Sequence, residues 1–101
     1  MNAFELLADP TRRRMMDELR HGERSVTELV ERLGMKQPTV SKQLKVLRDA
    51  GLAKVRVDAK RRLYQLDTTP LREVDDWLTP YRKLWSDRLD ALADHLTRTS
   101  D

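Results

Sequence analysis

Apolar residues recur along this chain at two different periods, and the change of period marks out its elements. Leu6 and Leu7, then Met15, Met16 and Leu19, fall at helical spacing and predict a short first helix and a longer second one. Asp9-Pro10 supplies an N-cap followed by proline at the first helical position, and Gly22 stops the second helix. Ser25-Val26-Thr27-Glu28 reads as a capping box. Val26, Leu29, Val30 and Leu33 then give an amphipathic third helix that ends at Gly34. Gln37-Pro38 opens a fourth, which runs to about Ala50 and is stopped by Gly51. The period drops to two over residues 52–57 and 61–66, predicting two strands around an Asp58-Ala59-Lys60 turn. Helical spacing returns with Leu71, Val74, Trp77, Leu78, Tyr81, Leu84, Trp85, Leu89, Leu92 and Leu96. Thr69-Pro70 and Thr79-Pro80 both read as cap-and-proline pairs, so the last helix, over residues 70–97, is expected to be interrupted near Pro80. Residues 97–101 are expected to fray.

Two helices joined by a short glycine-containing turn and followed at once by a hairpin describe a winged helix-turn-helix. The expected fold class is mainly α with a small β-hairpin, as one DNA-binding domain over residues 1–101. The helix-turn-helix occupies 25–50 and the wing 52–66. The long apolar stripe of the last helix exceeds what a domain of this size covers alone. Its natural use is packing against a second copy, with Phe4, Leu7, Leu78, Tyr81, Trp85, Leu89 and Leu92 as the expected dimer interface.

Charge sharpens this picture. Residues 36–62 hold nine basic residues against two acids, a net of +7, whereas the rest of the chain holds eleven against fifteen, a net of −4. A basic block between acidic flanks suits a polyanion, because lysine and arginine on phosphates release counterions. The fourth helix carries the same message. Val40, Leu44 and Leu47 form its inward face, and its outer face is rich in hydrogen-bonding and cationic side chains. Lys36, Gln37, Pro38, Thr39, Ser41, Lys42, Gln43 and Lys45 are therefore the expected contacts of a recognition helix in the DNA major groove. Arg56, Lys60, Arg61 and Arg62 are expected at or near the tip of the wing, in reach of phosphates or the minor groove.

Composition closes off other classes. With no cysteine, disulfides, thiolate metal sites and cysteine nucleophiles are excluded. There is no glycine-rich phosphate loop and no histidine with acids at catalytic spacing, so an enzyme is not expected. No apolar run approaches the length of a membrane span, and a cytoplasmic protein with no membrane partner and no cofactor is expected.

Ala8-Asp9-Pro10-Thr11-Arg12-Arg13, then Gln37-Pro38-Thr39-Val40-Ser41, Leu44-Lys45-Val46-Leu47-Arg48 and Ala50-Gly51-Leu52, strongly resemble the ArsR/SmtB family of bacterial winged-helix transcription regulators. The resemblance runs from about Phe4 to Leu96. It implies a homodimer joined mainly by the first and last helices, bound to an inverted-repeat operator of double-stranded DNA as a repressor that an inducer releases. Many members of that family sense metals, and the metal motifs do not carry over. The positions matching the cysteines of the arsenic-sensing pattern are Ser25, Thr27 and Val30, none of them a soft-metal ligand. The zinc-sensing pattern in the last helix is Asp-x-His followed, after ten intervening residues, by His-x-x-Glu. From Asp75 it meets Trp77, Arg88 and Ala91, and from Asp76 it meets Leu78, Leu89 and Leu92. The two histidines, His21 and His95, belong to no ligand cluster. The stretch from Trp77 to Trp85 resembles a subgroup lacking metal ligands, which leaves an unidentified small-molecule effector as the open question. Two alternatives stand beside this reading: a nonspecific nucleoid-type DNA-binding protein, and a metal-responsive repressor with an atypical site.

Overall fold

The residues that start and stop each helix do so by hydrogen bonds that can be named. In the computed structural model, which describes residues 1–99, α1 spans Ala3–Leu7 and is capped by Asn2, whose side chain accepts from the Glu5 amide at 2.9 Å. Helix α2 spans Pro10–Arg20; Asp9 caps it by accepting from the Thr11 amide at 2.8 Å. The next three basic residues have a structural use. Arg12 donates to the carbonyls of Leu6 and Glu5 at 3.0 and 3.2 Å, Arg13 to that of Leu7, and Arg14 to that of Leu33 at 3.0 Å. They add donors to carbonyls at the end of α1 and at Leu33.

Helix α3 spans Val26–Leu33 and starts on the expected capping box: Ser25 Oγ accepts from the Glu28 amide at 3.2 Å, and Glu28 Oε1 accepts from the Ser25 amide at 3.1 Å. Gly34 ends it at φ 64°, the left-handed conformation that glycine adopts without strain. Helix α4 spans Gln37–Asp49 with Pro38 in its first turn. Strands β1 (Ala53–Asp58) and β2 (Arg61–Leu66) pair antiparallel, with Val55 opposite Tyr64 and Asp58 opposite Arg61. The turn between them is Ala59-Lys60, and Ala59 sits at φ 56°. The sheet gains a further contact absent from the strand pattern: the backbones of Arg24 and Tyr64 exchange two hydrogen bonds at 3.1 and 2.8 Å. The α2–α3 junction is thereby fastened to the outer edge of β2.

The core lies where these elements converge. Leu6, Met15, Leu19, Leu29, Val40, Leu44, Leu47 and Leu52 are buried in one cluster, with Tyr64 from the hairpin closing it. Val40, Leu44 and Leu47 are spaced four and three residues apart, so one side of α4 is buried and the other is left for solvent.

After the hairpin comes a short 3-10 helix, Thr69–Leu71, and then α5, Arg72–Thr99. Three expectations are corrected here. Thr69 does not cap with its side chain; Asp67 Oδ1 instead accepts from the Thr69 amide at 3.0 Å. The interruption near Pro80 does not occur either, for α5 runs through that residue as one helix. Proline removes the donor for the Asp76 carbonyl; in the same turn Thr79 Oγ1 and Arg82 Nη2 both donate to the neighbouring Asp75 carbonyl, at 3.1 and 2.8 Å. The helix also continues over Thr97–Thr99, where fraying was expected, while residues 100 and 101 lie outside the described part.

Asp67 is the group most shifted by these contacts. The Thr69 amide, then the Thr69 hydroxyl and Lys54 at 3.2 Å, lower it from its ordinary 3.8 to about 2. A carboxylate with a depressed folded-state pKa adds stability that is fully present above its unfolded value and is lost as pH falls through the folded value. In urea titrations, the stability gap between the wild type and Asp67→Ala should be steady at neutral pH and close between about pH 4 and pH 2. A gap that persists unchanged to pH 2 contradicts this assignment.

Candidate nucleic-acid interface

Burial of one face of α4 determines what its other face presents. Lys36, Gln37, Pro38, Thr39, Ser41, Lys42 and Lys45 are all exposed, as the sequence led us to expect. Gln43 departs from that set. It is partly buried, and its Oε1 is shielded from solvent with no donor among the described residues. The cause is its position: three residues after Val40 and next to Leu44, it lies on the border of the buried face.

The hairpin has two faces with different partners. Residues opposite one another in an antiparallel pair share a face. Arg56 and Leu63 are opposite, as are Asp58 and Arg61, and Lys54 and Gln65, so these six form one face. Val57 and Arg62, Val55 and Tyr64, and Ala53 and Leu66 form the other. On the second face, Arg62 and Tyr64 join Ser41, Lys45, Arg48 and Asp49 of α4 around an open hollow of about 340 Å³. Three cations and two hydroxyl groups against one carboxylate make this hollow suited to a phosphate. Arg48 and Tyr64 were not among the residues expected at the site. The signal for Arg48 was its spacing, three residues beyond Lys45 and seven beyond Ser41 on one helical face.

On the first face the basic residues are already engaged. Arg56 donates to both oxygens of Glu23, at 3.2 Å from Nε and 2.7 Å from Nη2. Gln65 Nε2 donates to the same carboxylate. Arg61 donates to Glu28 at 3.0 Å. The Arg56 hydrogen bond, followed by that of Gln65, holds the Glu23 carboxyl below its usual range. Glu28 is lowered mainly by its bond to the Ser25 backbone. Arg56 is raised in turn by Glu23. Of the five cations in the wing, Lys54, Arg56 and Arg61 are in ion pairs, and only Lys60 and Arg62 form none among the described residues.

The residues expected at a dimer interface divide by exposure. Leu7 and Leu78 are partly buried. Phe4 packs edge-on against Trp77 with ring centroids 5.7 Å apart, and Trp77 lies 4.8 Å from Tyr81. Tyr81, Trp85, Leu89 and Leu92 are open to solvent, and so are Trp77, Leu84 and Leu96, which the expected set omitted. Among the described residues no group of three or more His, Asp or Glu side chains is placed to hold a metal ion. No helix is long and apolar enough to cross a membrane.

The family described as bacterial regulatory protein, arsR family, matches residues 9–55, from the N-cap of α2 into β1. The HTH-type transcriptional regulator Rv2034 of Mycobacterium tuberculosis is 37% identical over 99 residues, covering 98% of this chain and 90% of that protein. The transcriptional repressor SdpR of Bacillus subtilis is 29% identical over 77 residues, covering 76% of this chain and 86% of its own length. Among solved structures, a possible transcriptional regulator for arsenical resistance superposes with a TM-score of 0.68 at 33% identity, over 92% of this chain and 94% of that one. The repressor BigR from Xylella fastidiosa superposes with a TM-score of 0.62 at 34% identity, over 77% and 81% of the two chains.

Proposed function

Since the chain belongs to the arsR family of bacterial regulatory proteins, whose members are DNA-binding transcriptional regulators and not enzymes, we propose that it is a homodimeric cytoplasmic repressor that reads an inverted-repeat operator. The observation that carries this reading is the division of α4. One side is locked into the core by Val40, Leu44 and Leu47, and the other presents Gln37, Thr39, Ser41 and Lys42 to solvent beside a cationic hollow. A helix so held enters the major groove with its N-terminal half against base edges. Gln37 is suited to the bidentate edge of adenine and Lys42 to guanine O6 or N7, while Lys45, Arg48 and Arg62 take backbone phosphates. Lys36, Pro38 and Thr39 complete the approach at the start of the helix. Gln43, tucked against the core, supports the helix more than it reads bases.

Dimerisation is supported by α5. Its 28 residues extend roughly 42 Å at 1.5 Å per residue. Within the chain its main packing partners are α1 and the preceding 3-10 helix. Its aromatic and leucine stripe then faces solvent over several turns, a surface that two copies related by a twofold axis would cover. Two recognition helices in one dimer match two half-sites. The reading is metal-independent because Ser25, Thr27 and Val30 offer no soft ligand where the arsenic-sensing pattern needs one.

The base-reading role is tested by Gln37→Ala in competition binding against operator variants. Preference at one base position should relax by about 1–3 kcal/mol while other positions keep theirs. Uniform weakening across all variants would show instead that Gln37 touches only the backbone.

A further inference from the structure

The acids at the start of the helix-turn-helix are placed to hold the wing. Glu23 lies in the α2–α3 junction and Glu28 in the first turn of α3, yet both bind residues 33 or more positions away in the hairpin. Glu23 receives both strands at once: Arg56 from β1 by a two-pronged contact and Gln65 from β2. A lone exposed ion pair holds little. Here the fork geometry of arginine on carboxylate, the added amide and the neighbouring Arg24–Tyr64 backbone pairing act on the same spot. The carboxylates also cancel the charge of the arginines they hold. An arginine bonded to a carboxylate releases no counterion from DNA unless that bond is first broken, and an approaching phosphate would meet Glu23 as well.

We propose that Glu23 is a positioning residue for the wing: it clamps Arg56 and Gln65, so that Arg56 braces the hairpin against the α2–α3 junction and the wing contacts phosphate through Lys60 and Arg62. Arg61, held by Glu28, braces the hairpin in the same way. This rests on the DNA-binding reading above. It also revises the expectation that all four basic wing residues serve DNA equally.

Two readouts on the intact protein separate the parts. The first is amide hydrogen exchange of the wing without DNA. Glu23→Gln and Arg56→Ala should each speed exchange in β1 and β2 while leaving α2 and α4 protected. The charge exchange Glu23→Arg with Arg56→Glu should restore protection. The second is the slope of log affinity against log salt on duplex DNA. Lys60→Ala and Arg62→Ala should each reduce that slope by about 0.9, the value for one phosphate contact. Arg56→Ala should leave the slope unchanged and weaken binding several-fold, and the charge exchange should recover the affinity. Glu28 is not varied because it also closes the capping box of α3. The proposal is overturned if Arg56→Ala flattens the slope as much as Arg62→Ala does, or if wing exchange is indifferent to Glu23. Failure of the wild type to bind DNA would overturn the DNA-binding reading and with it the assignment of Lys60 and Arg62, and the exchange experiment would still decide the clamp.

Discussion

Trp85→Ala is expected to dissociate the proposed α5-mediated dimer and, with it, to remove most of the affinity for the proposed operator. Trp85 is 53% exposed in the single chain, so its loss should leave the fold intact. In the dimer it would lie near the centre of the α5 stripe, between Tyr81 and Leu89, where aromatic residues dominate interface energetics. Truncating such an anchor costs about 2–4 kcal/mol, roughly a 30- to 1,000-fold rise in the dimer dissociation constant. A monomer holds one half-site only, so DNA affinity should fall in parallel. Sedimentation of the variant over a range of concentrations gives the first quantity, and titration on operator DNA gives the second. A Trp85→Ala protein that remains a full-affinity dimer would place the interface elsewhere.

The other large effect belongs to the core. Leu47→Ala should lower the unfolding free energy by about 2–5 kcal/mol, the range for emptying a buried leucine site. Leu47 is fully buried where α4 meets the rest of the domain, and a domain of this size has about 5–15 kcal/mol in total. The same truncation therefore removes a large share of what keeps α4 in place. Urea unfolding followed by circular dichroism measures the loss. A change below about 1 kcal/mol would mean that this side of α4 is not its packed side.

What the sequence disclosed was set by distance along the chain. The capping box at Ser25 and Glu28, the stop at Gly34, the entry at Pro38 and the inward row of Val40, Leu44 and Leu47 all depend on residues within a few positions of one another, and all appear as expected. The hairpin was legible for the same reason, from alternation and a turn. Where long-range or repaired contacts decide, the pattern was silent or misleading. Pro80 looks like a break, yet α5 runs through it, with Thr79 and Arg82 bonding the Asp75 carbonyl in the turn before it. Thr69 looks like a cap, but Asp67 does that work. Arg56 and Arg61 read as free charges because their acids lie 33 residues upstream. Gln43 sits one step from the buried face, a margin that helical spacing alone does not resolve.

The cations of the basic segment, residues 36–62, fall into groups with different partners. Of its nine cations, Lys54, Arg56 and Arg61 are paired to Asp67, Glu23 and Glu28. Lys45, Arg48 and Arg62 gather around the hollow beside α4. Charge counted along the chain cannot separate Arg56 and Arg61 from Arg62; the register of the two strands does.

The central claim is selective binding of operator DNA by the α4 face. Its most direct test is a titration of the wild-type protein, treated with chelator, on duplex DNA from its own upstream region and on a scrambled duplex of equal length and composition. Each is measured at two salt concentrations and again with added zinc. The account predicts tighter binding to the upstream DNA at both salt concentrations, weakening of both complexes as salt rises, and no response to zinc. Equal affinity for the two duplexes would reduce the protein to a nonspecific DNA binder and contradict the account.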